Sequence, residues 1–583
     1  MDSEPPTTEP SISRRSVLGG LAAGLTITTS GCIREIRGIV GRTPDNKLSL
    51  NISTVPDDDD PHAIRVAHRV HDALETAGID SEIRLLERKI DLNQTVLVNH
   101  DFDLYVGRHP DFTEPDFLYE ALHSRYADES GWQNPFGFTS MAFDALLERQ
   151  REREGDDRRA AVDEVLEGIA DEQPFVPICV PDEHRLVRDD RFDGWDGRQL
   201  TTRLGYLGLE PDDGVDALRV ATVDTRPTKN LNPLSVEYRG QGTVVDLLYD
   251  SLGTVDDGEI RPWLARDWEW DGQTATVELR ENARWHDGES LTADDVAFTY
   301  RFLEDTTLGD GSVPSPSPRY RGLVSLLEEI EAIDDHTLSV SAVAGAELGE
   351  RAFTVPILPE HVWADRTAEE SIPGVRVAQG TTEALVTDNV PPVGSGPFAF
   401  ADRTERDDLL LERVDDHFSA TDDDLPGATV DRVRFLVHPR STSVIEAVEA
   451  GDADVTVTPL EAYSIAEVNE SSAVRLLDSP STTFYHVGFN VRNAPFSNPY
   501  FRRTVAGLLD KAWLVEEVFE GHARPIATPA TAEWPPDSLA FDGEDPVTPF
   551  FGVAGELDET AARRTFESAG FRYDEEGRLL ARQ

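Results

Sequence analysis

The sequence predicts a mixed α/β fold, and three stretches carry that expectation. Leu218 to Val223 is a short apolar run of the kind that fills a buried strand. Thr274 to Arg280 alternates: Ala275, Val277 and Leu279 face one way, and Thr276, Glu278 and Arg280 the other, as in a half-buried strand. Thr292 can cap a helix with Asp295 three residues on, close to a capping box, and Val296, Tyr300 and Leu303 then share one helical face. Asp287-Gly288, between strand and helix, is a turn signal.

The other elements follow the same physics. Leu48 to Ile52 alternates like a strand, and Pro61 to Ala77 is helical, with Ile64, Ala67, His68 and His71 at helical spacing. Ile83 to Leu86 and the apolar Asp101 to Gly107 read as strands. Phe143 to Arg153 and Arg158 to Ala170 read as helices, and Pro174 to Val180 as a strand. Gly208 to Asp216 is a polar linker with Gly and Pro, and Leu308 to Pro318 a loop rich in Gly, Ser and Pro. Asp558 to Gly570 is an amphipathic helix, followed by a turn-rich tail, Tyr573 to Leu580.

Charge narrows the function classes. Of 583 residues, 111 are Asp or Glu and 54 Lys or Arg, a formal net charge of −57. Such a surface repels nucleic acid, so a DNA or RNA role is excluded as an expectation. Lys is almost absent, and the acids are spread along the whole chain. That pattern suits a halophile surface, soluble where molar salt screens the repulsion. Two cysteines, Cys32 and Cys179, leave no disulfide framework. Cys179 lies in an apolar run and reads as a small buried thiol.

Residues 1–32 read as an address. Arg14-Arg15 followed by the apolar stretch Leu18 to Ile27 is a twin-arginine export signal, too short to span a bilayer. Thr29-Ser30-Gly31-Cys32 resembles a lipobox, with Thr29 in place of the usual Leu, so Cys32 is the expected point of lipid attachment. Residues 33–46 form a tether whose Arg34, Arg37 and Arg42 can meet anionic head groups.

A further set of motifs runs in order: Asn232-Pro233, Tyr249-Asp250-Ser251-Leu252, Leu264-Ala265-Arg266-Asp267-Trp268, Leu279-Arg280, Trp285-His286-Asp287-Gly288 and Ala293-Asp294-Asp295-Val296. It resembles the amino-terminal start of mature family 5 solute-binding proteins, the receptors for peptides, nickel and some sugars in ABC importers. Val393-Gly394-Ser395-Gly396-Pro397-Phe398 and Asn490 with Pro495-Phe496 match later family motifs. Phe102-Asp103, Gly107 to Pro115, Phe143 to Leu147 and Pro174 to Pro177 resemble the family's carboxy-terminal third, yet come first here. The resemblance implies a two-lobed periplasmic-binding-protein-like fold (class II, family 5), with mixed sheets and a hinge, circularly permuted. Residues 47–210 would carry the family's last part, in the second lobe and returning to the first near 190–210, with a linker at 211–216. Residues 217–583 would carry the rest: first lobe at 217–252 and about 376–482, an inserted subdomain at about 253–375, and second lobe from about 483. Arg578 to Gln583 would then lie beside Lys47 to Ile52.

No enzyme motif is present: no G-x-S-x-G, no His-Glu-x-x-His, no phosphate-binding Gly-Lys-Ser/Thr. His68 and His71, three apart, read as exposed histidines without a third ligand. The resemblance implies an interlobe ligand cleft and, in peptide-binding members, an acid at the position of Asp111 that holds the ligand's ammonium. The alternative for Asp111 is a solvated loop acid. Tyr105, Gly107 and His109 lie on the preceding strand, whose backbone can pair with an extended peptide. Arg108 replaces the usual family Trp. Glu237, Tyr238 and Arg239 fall where family members line the cleft, or else form an ordinary loop. The expected function is an extracytoplasmic, lipid-anchored, monomeric receptor that passes a peptide to an ABC permease and its ATPase. No cofactor or catalytic residue is implied. A sensory lipoprotein, or a nickel-chelate or oligosaccharide receptor, is the alternative.

Overall fold

The computed structural model describes residues 47–581, apart from 111–112, 241, 373–374, 376, 423, 470, 480 and 532. The signal and tether, with Arg14, Arg15 and Cys32, lie outside the described residues, as does Asp111.

Two large sheets organise the rest. In the six-stranded sheet the strands run Asp80–Leu85, Ser49–Thr54, Leu104–His109, Phe484–Phe489, Phe175–Pro181, Ala523–Pro525. The first three are parallel; the others pair antiparallel. Parallel neighbours need a crossover. The helix Pro61–Thr76 supplies it between Ser49–Thr54 and Asp80–Leu85. It starts sharply because Pro61 occupies its first turn and Asp60 accepts the Ala63 N–H at 2.9 Å. Its buried face is Ala63, Ile64, Val66, Ala67, Val70 and Leu74, while His68 stays exposed. The sheet is covered by one core containing Ile52, Leu104, Phe175, Phe489, Phe501 and Leu579. Cys179 lies within it, fully buried, and burial pushes its thiol pKa well above the ordinary range.

The seven-stranded sheet runs Phe398–Thr404, Asp408–Arg413, Arg432–Val437, Ala217–Thr222, Val455–Thr456, Glu183–Arg188, Val474–Ser479. Its second core joins, without a break, the face of an antiparallel four-stranded sheet, Ala265–Asp271, Thr274–Leu279, Thr337–Ala342 and Leu327–Asp334. The alternation in Thr274–Leu279 is realised residue by residue, Ala275, Val277 and Leu279 buried and their neighbours exposed. Thr292 and Asp295 form the capping box that starts Ala293–Glu304. The stretch expected as an inserted subdomain at about 253–375 therefore shares the apolar interior of the lobe it leaves. A small third core, with Leu186, Ala221, Val444 and Val448, fills the other face under the helix Ser441–Ala450.

The chain passes between the two large sheets at Pro181–Glu183 and again between Ser479 and Phe484. The first crossing comes earlier than the return expected near 190–210. Glu183–Arg188 already pairs with Val474–Ser479 in the seven-stranded sheet. The extremities of the described chain meet in the lobe of the six-stranded sheet. Lys47 and Leu580 form an antiparallel bridge, and the Leu579 N–H donates to Gly78 O at 2.7 Å. Gly78 has φ +82°, and a Cβ there would lie 2.4 Å from Gly577 O, so no other residue fits this contact unstrained.

Candidate functional site

A hollow on the six-stranded lobe is rimmed by short polar segments at strand and helix ends. From the six-stranded lobe come Asp60, at the start of Pro61–Thr76, and Arg108, near the end of Leu104–His109. Tyr485 contributes from the neighbouring strand, directly opposite Arg108 in register. Arg108 Nε donates to the Tyr485 hydroxyl at 2.7 Å and lies 3.3 Å from an Asp60 carboxylate oxygen. Its guanidinium also sits over the Tyr485 ring, 4.8 Å from the centroid. The Tyr485 hydroxyl donates to the other Asp60 oxygen at 2.9 Å. Burial opposes the Asp60 charge, but Arg108, the Ala63 N–H and Tyr485 outweigh it, and the carboxyl stays below its usual pKa.

Lys89 lies at the cleft rim. Its side chain reaches solvent yet is closely flanked by protein, and desolvation, then Arg108 and Arg226, hold its pKa down while Asp60 pulls the other way. Among the described residues Lys89 has no ion-pair partner. From the other lobe, Glu461 feels the charge of Arg108. Burial raises its pKa, and Arg108 counteracts that. The hollow beneath is apolar, lined by Val55, Leu92, Val96, Leu97 and Val106, with Trp132 and Gly107 at its side. Apolar walls with a few convergent charges are what an amphiphilic ligand with ionised ends requires.

The sequence-predicted residues divide. Gly107 and Arg108 reach the hollow. Beyond Tyr105 no residue of Leu104–His109 pairs with Ser49–Thr54 among the described residues. Tyr105 is buried, its hydroxyl 2.7 Å from His486 Nε2, and it borders the hollow only from the core side. The His109 imidazole is also buried, against Phe117, Trp132 and Phe484, and does not line the hollow. Glu237 is exposed and accepts from Asn230 Nδ2 at 3.2 Å. Tyr238 is buried, and its hydroxyl donates to Asn230 O. Arg239 pairs with buried Glu120 of the other lobe and donates to Pro318 O of its own at 3.1 Å. With Arg321–Glu129 at 3.0 Å and Arg158–Glu347 at 2.7 Å, this pair ties the two cores together on that side.

Asp60, Lys89, Tyr485 and Glu461 were missed by sequence reasoning. In a chain so rich in acids, Asp60 stands out only as a helix cap before Pro61. The rarity of lysine was the one usable signal for Lys89. The Gly394-Ser395-Gly396 turn is a packing device: a Cβ on Gly394 would meet Leu248 O at 1.9 Å, and Ser395 Oγ accepts the Asp250 N–H at 3.1 Å. Beside it, Asp250 is fully buried, accepting from Trp263 Nε1 at 2.6 Å with Arg203 at 3.6 Å and His417 at 3.3 Å.

Residues 259–581 match the family described as bacterial extracellular solute-binding proteins, family 5 Middle. The oligopeptide-binding protein AppA of Bacillus subtilis is 25% identical over 311 residues, 52% of this chain and 50% of AppA. The heme-binding protein A of Haemophilus influenzae is 25% identical over 330 residues, 54% of each. The chain thus spans about half the length of the curated relatives it matches. The solved structure of AppA from Bacillus subtilis in complex with a nonapeptide is 18% identical, with a TM-score of 0.44, covering 63% of this chain and 68% of that one.

Proposed function

Because this chain belongs to the family 5 bacterial extracellular solute-binding proteins, we propose that it is a receptor without catalytic activity, taking a peptide into the interlobe cleft and delivering it to an ABC permease. The single observation that carries this reading is an apolar hollow on one lobe, rimmed by Asp60, Lys89 and Arg108, with the charge of Arg108 also acting on Glu461 of the other lobe. A peptide offers matching chemistry: an ammonium, a carboxylate, and a backbone able to pair with the strand at Gly107 and Arg108. Asp111 would hold the ammonium, and Lys89 the carboxylate. Closure of the lobes on the ligand would present the form that docks on the permease.

Arg14-Arg15 and Cys32 support export by the twin-arginine route followed by lipid anchoring on the outer face of the membrane. The formal charge of −57 supports a molar-salt environment. Circular permutation is supported by three observations. Strands from 47–210 and from 217–581 interleave in both large sheets. The chain extremities pair at Lys47 and Leu580. The family match begins only at residue 259.

The test is to denature protein purified in molar salt and identify what it releases by mass spectrometry, then to titrate the emptied protein with synthetic peptides. Released peptides, and tight binding of the same peptides, are the expected result. A released nickel chelate or sugar, with no peptide bound, would overturn the ligand class.

A further inference from the structure

The first crossing between the lobes carries a constellation that the ligand cleft does not use. Asp182 sits at the crossover itself, between Phe175–Pro181 of one sheet and Glu183–Arg188 of the other. His184 lies on the second of these strands, and His522 immediately precedes Ala523–Pro525 of the first sheet. The Asp182 N–H donates to His522 O at 3.0 Å, which fixes the two backbones together. A carboxylate oxygen of Asp182 and one ring nitrogen from each histidine lie within 4.8 Å of one another.

The chemistry of His184 points to a ligand. Its Nδ1 is 2.8 Å from a carboxylate oxygen of Asp478, the residue opposite it in register. A carboxylate only accepts, so Nδ1 carries the hydrogen, and in the neutral ring Nε2 presents a lone pair. That Nε2 is buried and, among the described residues, has no hydrogen-bond partner, a costly arrangement for a polar atom. A carboxylate hydrogen-bonded to one imidazole nitrogen is the arrangement that orients metal-binding histidines and leaves the other nitrogen to bind. Two histidines and one carboxylate, with a water completing the tetrahedron, make a ligand set suited to zinc. Around zinc, with bonds of about 2.0–2.1 Å, the ligand atoms would sit roughly 3.4 Å apart, within reach by small rotamer adjustments.

We infer that Asp182, His184 and His522 form a divalent transition-metal site, with Zn2+ as the best-fitting occupant, at the crossover between the two lobes. Its ligands come from both sheets, so a bound ion clamps the joint about which the lobes would move. The site does not depend on which solute fills the cleft.

The experiment uses the full chain, stripped with chelator and held in molar KCl, titrated with ZnCl2 by calorimetry and with CoCl2 by visible absorption. One Zn2+ per chain is expected, not displaced by a large excess of Mg2+, with the d–d bands of a four-coordinate Co2+ ion. His184→Ala and His522→Ala should each weaken Zn2+ binding by at least 100-fold. Asp478→Asn, which acts through His184, should weaken it by roughly 10–100-fold. His68→Ala/His71→Ala should leave it unchanged. Amide exchange at Asp182 to Arg185 should slow when Zn2+ binds. Should His184→Ala fail to fold, His184→Gln and His522→Ala carry the test. Equal Zn2+ binding in the His184 and His522 variants, or displacement by Mg2+, would overturn the proposal, since either result places the ion on ordinary surface carboxylates.

Discussion

The Leu48 N–H donates to Leu579 O at 2.9 Å, joining the start of the described chain to its end. Tyr573 strengthens the junction, its hydroxyl donating to Ala77 O at 2.9 Å. Two segments so far apart in sequence complete one corner of one core. Permuted chains fold when old and new ends meet in exposed turns. Joining Gln583 to Lys47 and reopening the chain at Asp212 should therefore give a soluble protein with a thermal midpoint close to the parent's. Insolubility of the reopened chain, with the natural order folding normally, would refute the permuted-domain reading.

The same corner should resist any side chain at Gly78. Gly78→Ala forces a left-handed residue and a contact with Gly577 O. The expected loss exceeds about 1 kcal/mol, read by urea denaturation. A variant as stable as the parent would mean that the tail does not pack at Gly78.

Asp250 should govern acid stability. Burial alone would raise its pKa, but His417, Arg203 and Trp263 together hold it below the ordinary value. A carboxyl whose folded pKa is depressed stabilises the fold above its unfolded pKa of about 3.9, and that stability is lost as pH falls through the folded value. Asp250→Asn leaves Arg203 buried without its counter-charge and should cost about 3–5 kcal/mol at neutral pH. It should also flatten the fall of stability below about pH 4. An unchanged acid limb would remove Asp250 as its source.

Ligand recognition is tested at Asp111 and Lys89. If Asp111 holds an ammonium, Asp111→Asn should weaken peptide binding by roughly 1.5–3 kcal/mol, and N-acetylated peptides should bind poorly to the parent. Lys89→Met should weaken peptides with a free carboxylate more than amidated ones. Equal affinity for capped and free peptides would exclude both contacts.

Anchoring is tested at the other end of the chain. Cys32→Ser should move the protein from the membrane fraction to the soluble one, and replacing Arg14 and Arg15 by Lys should leave precursor in the cytoplasm. Retention of the Cys32→Ser protein on membranes after a carbonate wash would rule out the lipid.

Sequence by itself determined the parts whose cause is local. The alternation in Thr274–Leu279 dictates which face is buried, because a strand's side chains switch sides at each residue. Thr292 with Asp295, and Asp60 before Pro61, start their helices because capping needs only neighbours three residues away. Motif order also made the family legible. Only the tertiary structure decided which charges meet. Arg108 was visible as a departure from the family, but its partners Asp60 and Tyr485 come from segments at opposite ends of the chain. The sequence leaves Arg239 between a cleft lining and an ordinary loop, and packing of the lobes gives its guanidinium to Glu120. In a chain with 111 acidic residues, an acid's identity says almost nothing about its partner. Ion pairing is set by distances of a few ångströms in three dimensions, and those follow from how the two cores pack, which no local pattern encodes.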